Sequence, residues 1–378
     1  MFQRTVFNDE QNYFRETVAK FVSKEVLPHH SLWEKEGIVP KEIWLKAGDL
    51  GILCPNIPKE YGGIGGDFRF NVIVIEELAK IGASGPGFAV HSDIVAPYLI
   101  NYSSDTQKKE YLPKMVKGEI ITAIAMTEPG TGSDLQNIKT KATVKENNII
   151  LNGSKTFITN GQNANLVLVV AKTDSTKKAK GISIVLCEDY RKGFEKGKNL
   201  KKIGMQAQDT SELFFHDVKL PIENILGQSG QGFGQLMDEL PQERLSIAVT
   251  AIAAAESALD WTISYTKERT AFNTKIIDFQ NTKFTLAKLK SELSVARAYI
   301  DRCIFEHINN NFSAEDGAIA KLWCTELQFK VIDECLQLFG GYGYMQEYPI
   351  AKAFMDARVQ RIYGGTSEIM KEIISRNL

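Results

Sequence analysis

The sequence is poor in the residues that hold metals or cross-link chains. Of its 378 residues, five are cysteine and five histidine. Cys54, Cys187, Cys303, Cys324 and Cys335 lie far apart, are odd in number and form no CxxC pair. They read as small buried hydrophobes in a reducing compartment, not as a disulfide framework or a redox pair. The histidines show no HxxxH or HExxH spacing, so no metal is expected. No apolar run approaches the ~18 residues of a membrane span, and no membrane insertion is expected. The opening MFQRTVFNDEQNYF carries an acid by position 9 and no run of signal-peptide length, which points to a cytoplasmic protein. A net charge of −1 supplies no overall attraction for nucleic acid. GxGxxG, GxxxxGK and GxSxG are all absent; GFEKGK at 193–198 is one residue short of the phosphate-loop spacing and lacks the following Ser or Thr. A Rossmann unit, a P-loop and a hydrolase elbow are therefore unsupported, and any dinucleotide must be held by another device.

What is present is the composition of an ordinary globular protein, 43% hydrophobic and 24% charged. The length is too great for one core and implies two or three packed units. Residues 9–27 read as an amphipathic helix with Phe14, Val18, Phe21, Val22 and Val26 on one stripe, capped by Asn8 or Asp9 and ended by Pro28. Further helices are expected near 40–50, at 68–82 (Val72, Ile75, Leu78 and Ala79 on one face) and at 105–117, with YGGIGG at 61–66 as a loop. The texture then changes. A turn at Asn147-Asn148 leads into a short apolar run, and 165–171, 181–187 and 211–218 are β-branched or aromatic runs separated by Gly, Asn and Lys clusters. After Gly234 long helical patterns return (235–267, 280–308, 315–340, 350–361). Leu286, Leu289, Leu293, Ala296, Ile300 and Cys303 step by three and four as in a bundle seam. The expected fold class is α+β multidomain: an N-terminal helical domain at 1–120, a middle antiparallel β domain at 121–233 and a C-terminal four-helix bundle at 234–378. The segment 172–202 has a net charge of +6. It reads first as a solvated loop between strands, second as an attraction for a polyphosphate ligand, and its lack of interleaved aromatics argues against nucleic acid.

The most distinctive string is AIAMTEPGTGS at 123–133, followed by Asp134. Its Gly and Pro content makes a loop with exposed backbone N–H groups, and Thr127, Thr131 and Ser133 add hydroxyls, a composition able to bond a heterocycle edge and a phosphate. MTEPGTGSD resembles the signature of the acyl-CoA dehydrogenase family. KTFITNG at 155–161, ERTAFN at 268–273 with Phe279-Gln280, and the run from Gln337 to Ile369 resemble its other signatures, in the family's order and across roughly residues 5–378. The helix–sheet–helix layout agrees with the family's fold.

The resemblance implies FAD as cofactor. Ile124, Ala125, Met126, Thr127, Glu128, Pro129, Gly130, Thr131, Gly132 and Ser133 would line the flavin, with Thr127 near its pyrimidine ring. Phe157, Ile158 and Thr159 would contact the isoalloxazine; Phe157 stands where many members have tryptophan. Arg269, Phe272, Gln280, Gln337, Leu338, Phe339, Gly340 and Gly341 would reach the adenine half of an FAD bound mainly by a neighbouring subunit. Asn273 replaces a common glycine beside Phe272. Thr366, Ser367 and Glu368 would touch the cofactor again. Because such sites span subunits, a homotetramer (a dimer of dimers) is implied.

The family's reaction removes a proton from Cα and a hydride from Cβ of an acyl thioester, which calls for a desolvated carboxylate. Many members carry it in a Tyr-Glu-Gly-Thr string; here the string is Tyr363-Gly364-Gly365-Thr366 and the glutamate is gone. LPQERLSIA at 240–248 resembles the long-chain and isovaleryl-type branches, which place the base on a helix of the C-terminal domain. Glu243 matches that position. Ser133, Pro241, Gln242, Arg244, Gly364 and Gly365 join it as expected substrate contacts. Pro241 reads as a helix start or a kink. A start there would put Glu243 in a first turn, where the helix dipole lowers its pKa against the needs of a base. The implied activity converts acyl-CoA to trans-2-enoyl-CoA and passes electrons to an electron-transfer flavoprotein. An oxidase using oxygen and a non-catalytic flavin-binding relative are the alternatives.

Overall fold

A computed structural model describes residues 4–378. Its N-terminal part is helical. α1 (Asp9–Phe21) starts on a capping box in which Asn8 accepts from the backbone of Glu10 and Gln11 while the Gln11 side chain returns to the Asn8 N–H. The stripe expected along 9–27 is buried at Val18, Phe21, Val22 and Val26, but its last five residues, Val22–Val26, wind as a π turn. α2 (His30–Glu36) was not expected, because its seven residues hold too short an apolar pattern to register. α3 (Lys41–Asp49) and α4 (Phe68–Lys80) follow. A second π turn, Val90–Val95, runs directly into α5 (Ala96–Tyr102); α6 (Asp105–Val116) ends the unit. α4 is buried on both sides. Phe68, Val72 and Ile75 face the C-terminal core, and Ile73, Val74 and Leu78 face the N-terminal one.

The middle part is one sheet of seven strands: β1 (Thr122–Ala125), β2 (Lys141–Lys145), β3 (Asn148–Thr159), β4 (Leu166–Lys172), β5 (Ile182–Glu188), β6 (Phe194–Asn199) and β7 (Thr210–Pro221). The expectation of a wholly antiparallel sheet needs one correction. β1 pairs with β4 in parallel, from Thr122↔Leu166 to Ala125↔Val169, and β2 meets β4 in parallel at one pair. The remaining ladders are antiparallel. β1 escaped notice because its four residues open into a Gly- and Pro-rich loop. β6 lies inside the basic segment, whose charges are partly paired, as in Lys196–Asp189 and Arg191–Glu188.

The C-terminal part is built on α7 (Gly232–Glu268), which packs mainly on α9 (Ala314–Phe339). Between them a small hairpin of β8 (Thr270–Ala271) and β9 (Thr274–Lys275) leads into α8 (Gln280–Ile308). The expected seam on α8 is buried throughout, from Leu286 to Cys303. α10 (Pro349–Gln360) completes the four expected helices, and a fifth, α11 (Ser367–Ser375), closes the chain. All five cysteines are free and buried. Among the described residues no helix is long and apolar enough to cross a membrane.

Candidate active site

Pro241 lies inside α7, not at its start. Glu243 is therefore three turns into a helix that begins at Gly232, and the dipole field, which fades within the first turn, does not oppose its basicity. What acts on it is burial. Glu243 is 5% exposed, and desolvation pushes its carboxyl up to about 7, against a hydrogen bond from Tyr98 and the charge of Arg244, which both favour the ionised form. The Tyr98 hydroxyl donates to Glu243 Oε1 at 3.0 Å. Glu76 on α4 shows how much this depends on neighbours. It is equally buried, but Arg4, Arg15 and Arg297 surround it, and their charge overcomes desolvation to hold it down at about 2. Glu76 clamps helices together; no such cluster of arginines surrounds Glu243, and desolvation dominates there.

The Gly364–Gly365 loop lies over the same stretch of α7. The Arg244 guanidinium donates from Nε to the Gly364 carbonyl at 3.4 Å, and Lys321 of α9 donates to the Gly365 carbonyl at 2.7 Å. A Cβ on Gly364 would lie 2.4 Å from Ile247 Cδ1, one helical turn beyond Glu243. The position that lacks a glutamate and the position that holds one therefore look onto one face of α7. Pro241 and Gln242 instead line a separate cavity of ≈ 510 Å³ with Tyr102, Glu239 and His307. There Gln242 donates to the Asp93 carbonyl at 2.6 Å and meets His307 Nε2 at 2.8 Å. Burial holds His307 neutral, down at about 4, so its Nε2–H donates to the Gln242 Oε1.

The two strings of the middle sheet come together. Ile124 and Ala125 belong to β1, and the Thr156 N–H donates to the Thr127 carbonyl at 2.9 Å. Glu128 is turned inward: it accepts from Lys139 N (2.6 Å), Thr140 N (2.9 Å) and the fully buried Lys155 (2.9 Å). Lys155 also donates to the Met126 carbonyl at 2.8 Å. The Lys155 cation and the two backbone N–H donors hold the Glu128 carboxylate below its usual range despite burial. Its side chain thus braces the loop from beneath and leaves Gly130, Gly132 and Ser133 exposed and Thr127 half-buried, while Thr131 is buried, pairing with Glu128 through the backbone and donating its hydroxyl to the Asn137 carbonyl. Phe157 occupies a bulge in the β3–β7 ladder with φ of 60° and 67% exposure. A bulky side chain held at positive φ and turned to the surface is a strained arrangement of the kind found where a ligand is gripped.

Arg269, Gln337, Leu338, Phe339, Gly340 and Gly341 line one cleft of ≈ 690 Å³ with Tyr265, Tyr342 and Met345. Gly340 caps α9 with φ of 59°. Phe272 and Gln280 are not in this cleft. Phe272, 92% exposed, forms the tip of the β8–β9 hairpin with Asn273, both at positive φ (52° and 56°). Asn273 adopts the left-handed conformation that the turn requires, so the missing glycine does not disrupt the loop. Gln280 is the exposed first residue of α8. At the C-terminal end, Thr366 caps α11, Ser367 is held by Glu326 at 2.8 Å and Glu368 is exposed. Arg269 stands at the far end of α7 from Glu243, roughly 40 Å away along the helix. One copy of the chain cannot bring both to one small ligand.

Three glycines carry a further signal. Gly130, Gly132 and Gly341 have no positive φ, and a Cβ on any of them would meet nothing within 4 Å. Gly48 and Gly118, by contrast, are fixed by backbone 2.4 Å away. The chain's own packing gives no reason for glycine at the first three. Gly234, exposed in the first turn of α7, shares the property; at Gly130, Gly132 and Gly341 the open space leaves the backbone accessible to close approach from outside the chain.

Tyr98 and the Glu128–Lys155 brace had no signal in single motifs. Their partners are remote in sequence; only the polar Tyr98-x-x-Asn101-Tyr102 face of an otherwise apolar helix hints at the first.

Three family models match in succession: the N-terminal domain of acyl-CoA dehydrogenase at residues 8–119, its middle domain at 123–218 and its C-terminal domain at 230–378. The long-chain specific acyl-CoA dehydrogenase of mitochondria from Sus scrofa is 50% identical over 99% of this chain and 88% of its own. The crystal structure of an acyl-CoA dehydrogenase from Geobacillus kaustophilus superposes with a TM-score of 0.97 at 46% identity, covering 99% of both chains. A glutaryl-CoA dehydrogenase from Mycobacterium smegmatis in complex with FADH2 superposes with a TM-score of 0.92 at 27% identity, over 98% of this chain and 95% of its own. This chain belongs to the acyl-CoA dehydrogenase family.

Proposed function

We propose that the protein is an FAD-dependent dehydrogenase of long-chain fatty acyl-CoA, forming the trans-2-enoyl-CoA and passing electrons to an electron-transfer flavoprotein. The observation that carries this reading is Glu243, a sealed carboxylate poised near neutral pH opposite the Gly364 vacancy. Ionised Glu243 removes the proton from Cα of the thioester and keeps it. FAD held by the loop at Thr127–Ser133 and Phe157 would supply the acceptor for the hydride that leaves Cβ. Thr127, Gly130, Gly132, Ser133 and Phe157 fit a flavin: an outward loop with free N–H groups, glycines with open space above them and an exposed aromatic beside it. The cleft at Arg269 and Gly341 fits the adenine half of a cofactor bound by another copy, because it is too far from Glu243 to serve its own. A shared cleft calls for at least two copies, and the family resemblance extends the reading to a homotetramer of three-part chains, divided near 120 and 233. The long-chain preference rests on the 50% identity to the Sus scrofa enzyme.

The test is anaerobic bleaching of the purified yellow protein with straight and branched acyl-CoAs of increasing length. The fastest bleaching is expected with long straight chains. Bleaching by none of them would reject dehydrogenation. Peroxide formed in step with substrate, with no reduction of electron-transfer flavoprotein, would favour the oxidase reading.

A further inference from the structure

We propose that Tyr98 is the positioning residue of the base: it holds Glu243 Oε1 so that Oε2 is the oxygen that takes the α-proton. The inference rests on Glu243 being that base. Tyr98 is fully buried on α5, and a buried phenol needs a partner. Its hydroxyl finds Oε1 at 3.0 Å, while among the described residues nothing donates to Oε2. The contact is one rung of a ladder. Tyr98, Asn101 and Tyr102 share one face of α5, spaced by three and four. Opposite them on α7 stand Glu243, Glu239 and Asp238. Asn101 donates to Glu239 at 2.7 Å and Tyr102 to Asp238 at 3.3 Å. The lower rungs fix the register of α5 on α7 and thereby the height of the Tyr98 hydroxyl.

All three donors are neutral, and this matters for the base. A cation in place of Tyr98 would pull the carboxyl down as three arginines do at Glu76. A phenol orients one oxygen while leaving desolvation dominant. The groups that act on Glu243 are Tyr98 from α5 and Arg244 and Glu239 from α7. Asp93 of the π turn and His307 of α8 reach it only through Gln242, and Lys321 of α9 only through Arg244.

The test compares the flavin-loaded wild type with Tyr98→Phe, which keeps the ring and removes the donor. The rate of bleaching by acyl-CoA is followed from pH 5 to 9. The acid limb is expected to move up by about one pH unit, with about a tenfold loss at pH 6, little loss at high pH, KM little changed, and the thermal midpoint little changed at pH 5, where Glu243 is protonated in both proteins. An acid limb that stays in place overturns the proposal. If Tyr98→Phe fails to fold, 3-fluorotyrosine introduced at position 98 decides. Its more acidic phenol should move the limb down, and an unmoved limb again overturns the proposal. Glu243→Gln is run beside both. Activity in Glu243→Gln would sink the underlying assignment of the base, whereas an inactive Glu243→Gln with an unmoved Tyr98→Phe sinks the positioning role alone.

Discussion

Moving the carboxylate from α7 to the C-terminal loop should restore part of the activity that its loss destroys. The perturbation is Glu243→Thr combined with Gly364→Glu. Gly364 has φ of +64°, so a glutamate there costs roughly 1–2 kcal/mol of backbone strain. Its Cβ would press on Ile247 Cδ1 at 2.4 Å. That atom is the far end of a flexible, half-buried side chain, which can turn aside. The double variant should therefore fold and keep its flavin, with a thermal midpoint a few degrees lower. Removing the base should slow bleaching by about 10⁴. A carboxylate returned from the loop, misplaced by about 1 Å, should recover all but about 10² of that loss. Gly364→Glu alone puts two carboxylates before one space. Each raises the other's pKa, so that variant should be slow at pH 7 and recover at higher pH. The assay is anaerobic stopped-flow decay of the flavin band. A double variant no faster than Glu243→Thr, with flavin content and melting intact, would refute the claim that the two positions face one substrate carbon.

The burial of Glu243 also predicts a stability effect of opposite sign to the activity effect. Its folded value of about 7 lies above the ordinary 4.5. Between these values the unfolded chain loses the proton first, so this group's contribution falls as pH rises and is fully lost above 7, a change of roughly 3 kcal/mol. Flavin-free Glu243→Gln should thus melt several degrees above wild type at pH 8 and level with it near pH 4.5; equal melting at both would mean the carboxylate is solvated. Gly130→Ala should leave the melting of the flavin-free protein unchanged or slightly raised and weaken flavin retention on gel filtration, because the new Cβ meets nothing in this chain. Gly48→Ala, whose Cβ would lie 2.4 Å from Lys117 backbone, should instead lower the midpoint whether or not flavin is bound.

Long periodic segments and signature strings were legible in the sequence, and short or nonlocal features were not. The seam of α8 and the stripe of α1 declared themselves because burial on one helix face repeats over many turns. β1 has four residues and α2 seven, too few for a period to stand out. Parallel pairing of β1 with β4 is a property of chain routing between residues more than 40 apart, which no local pattern records. Pro241 suggested a helix start or a kink, because proline favours the first position of a helix and disturbs later ones. The structure keeps it mid-helix, where the packing of α7 on α9 overrides the propensity; a Cβ on Gly317 of α9 would lie only 3.1 Å from the Pro241 Cα. The identity of Glu243 as a candidate could be read from the absence at Gly364. Its environment could not, since Tyr98 is 145 residues away. The inward turn of Glu128 was likewise hidden, because its brace needs Lys155 from another strand.

The most direct test of the central claim is single-turnover reduction of flavin-loaded Glu243→Gln by a long-chain acyl-CoA under anaerobic conditions. The expected result is a yellow, folded protein that binds the thioester and bleaches about 10⁴ times more slowly than wild type. Bleaching at the wild-type rate would contradict it and remove Glu243 from the chemistry.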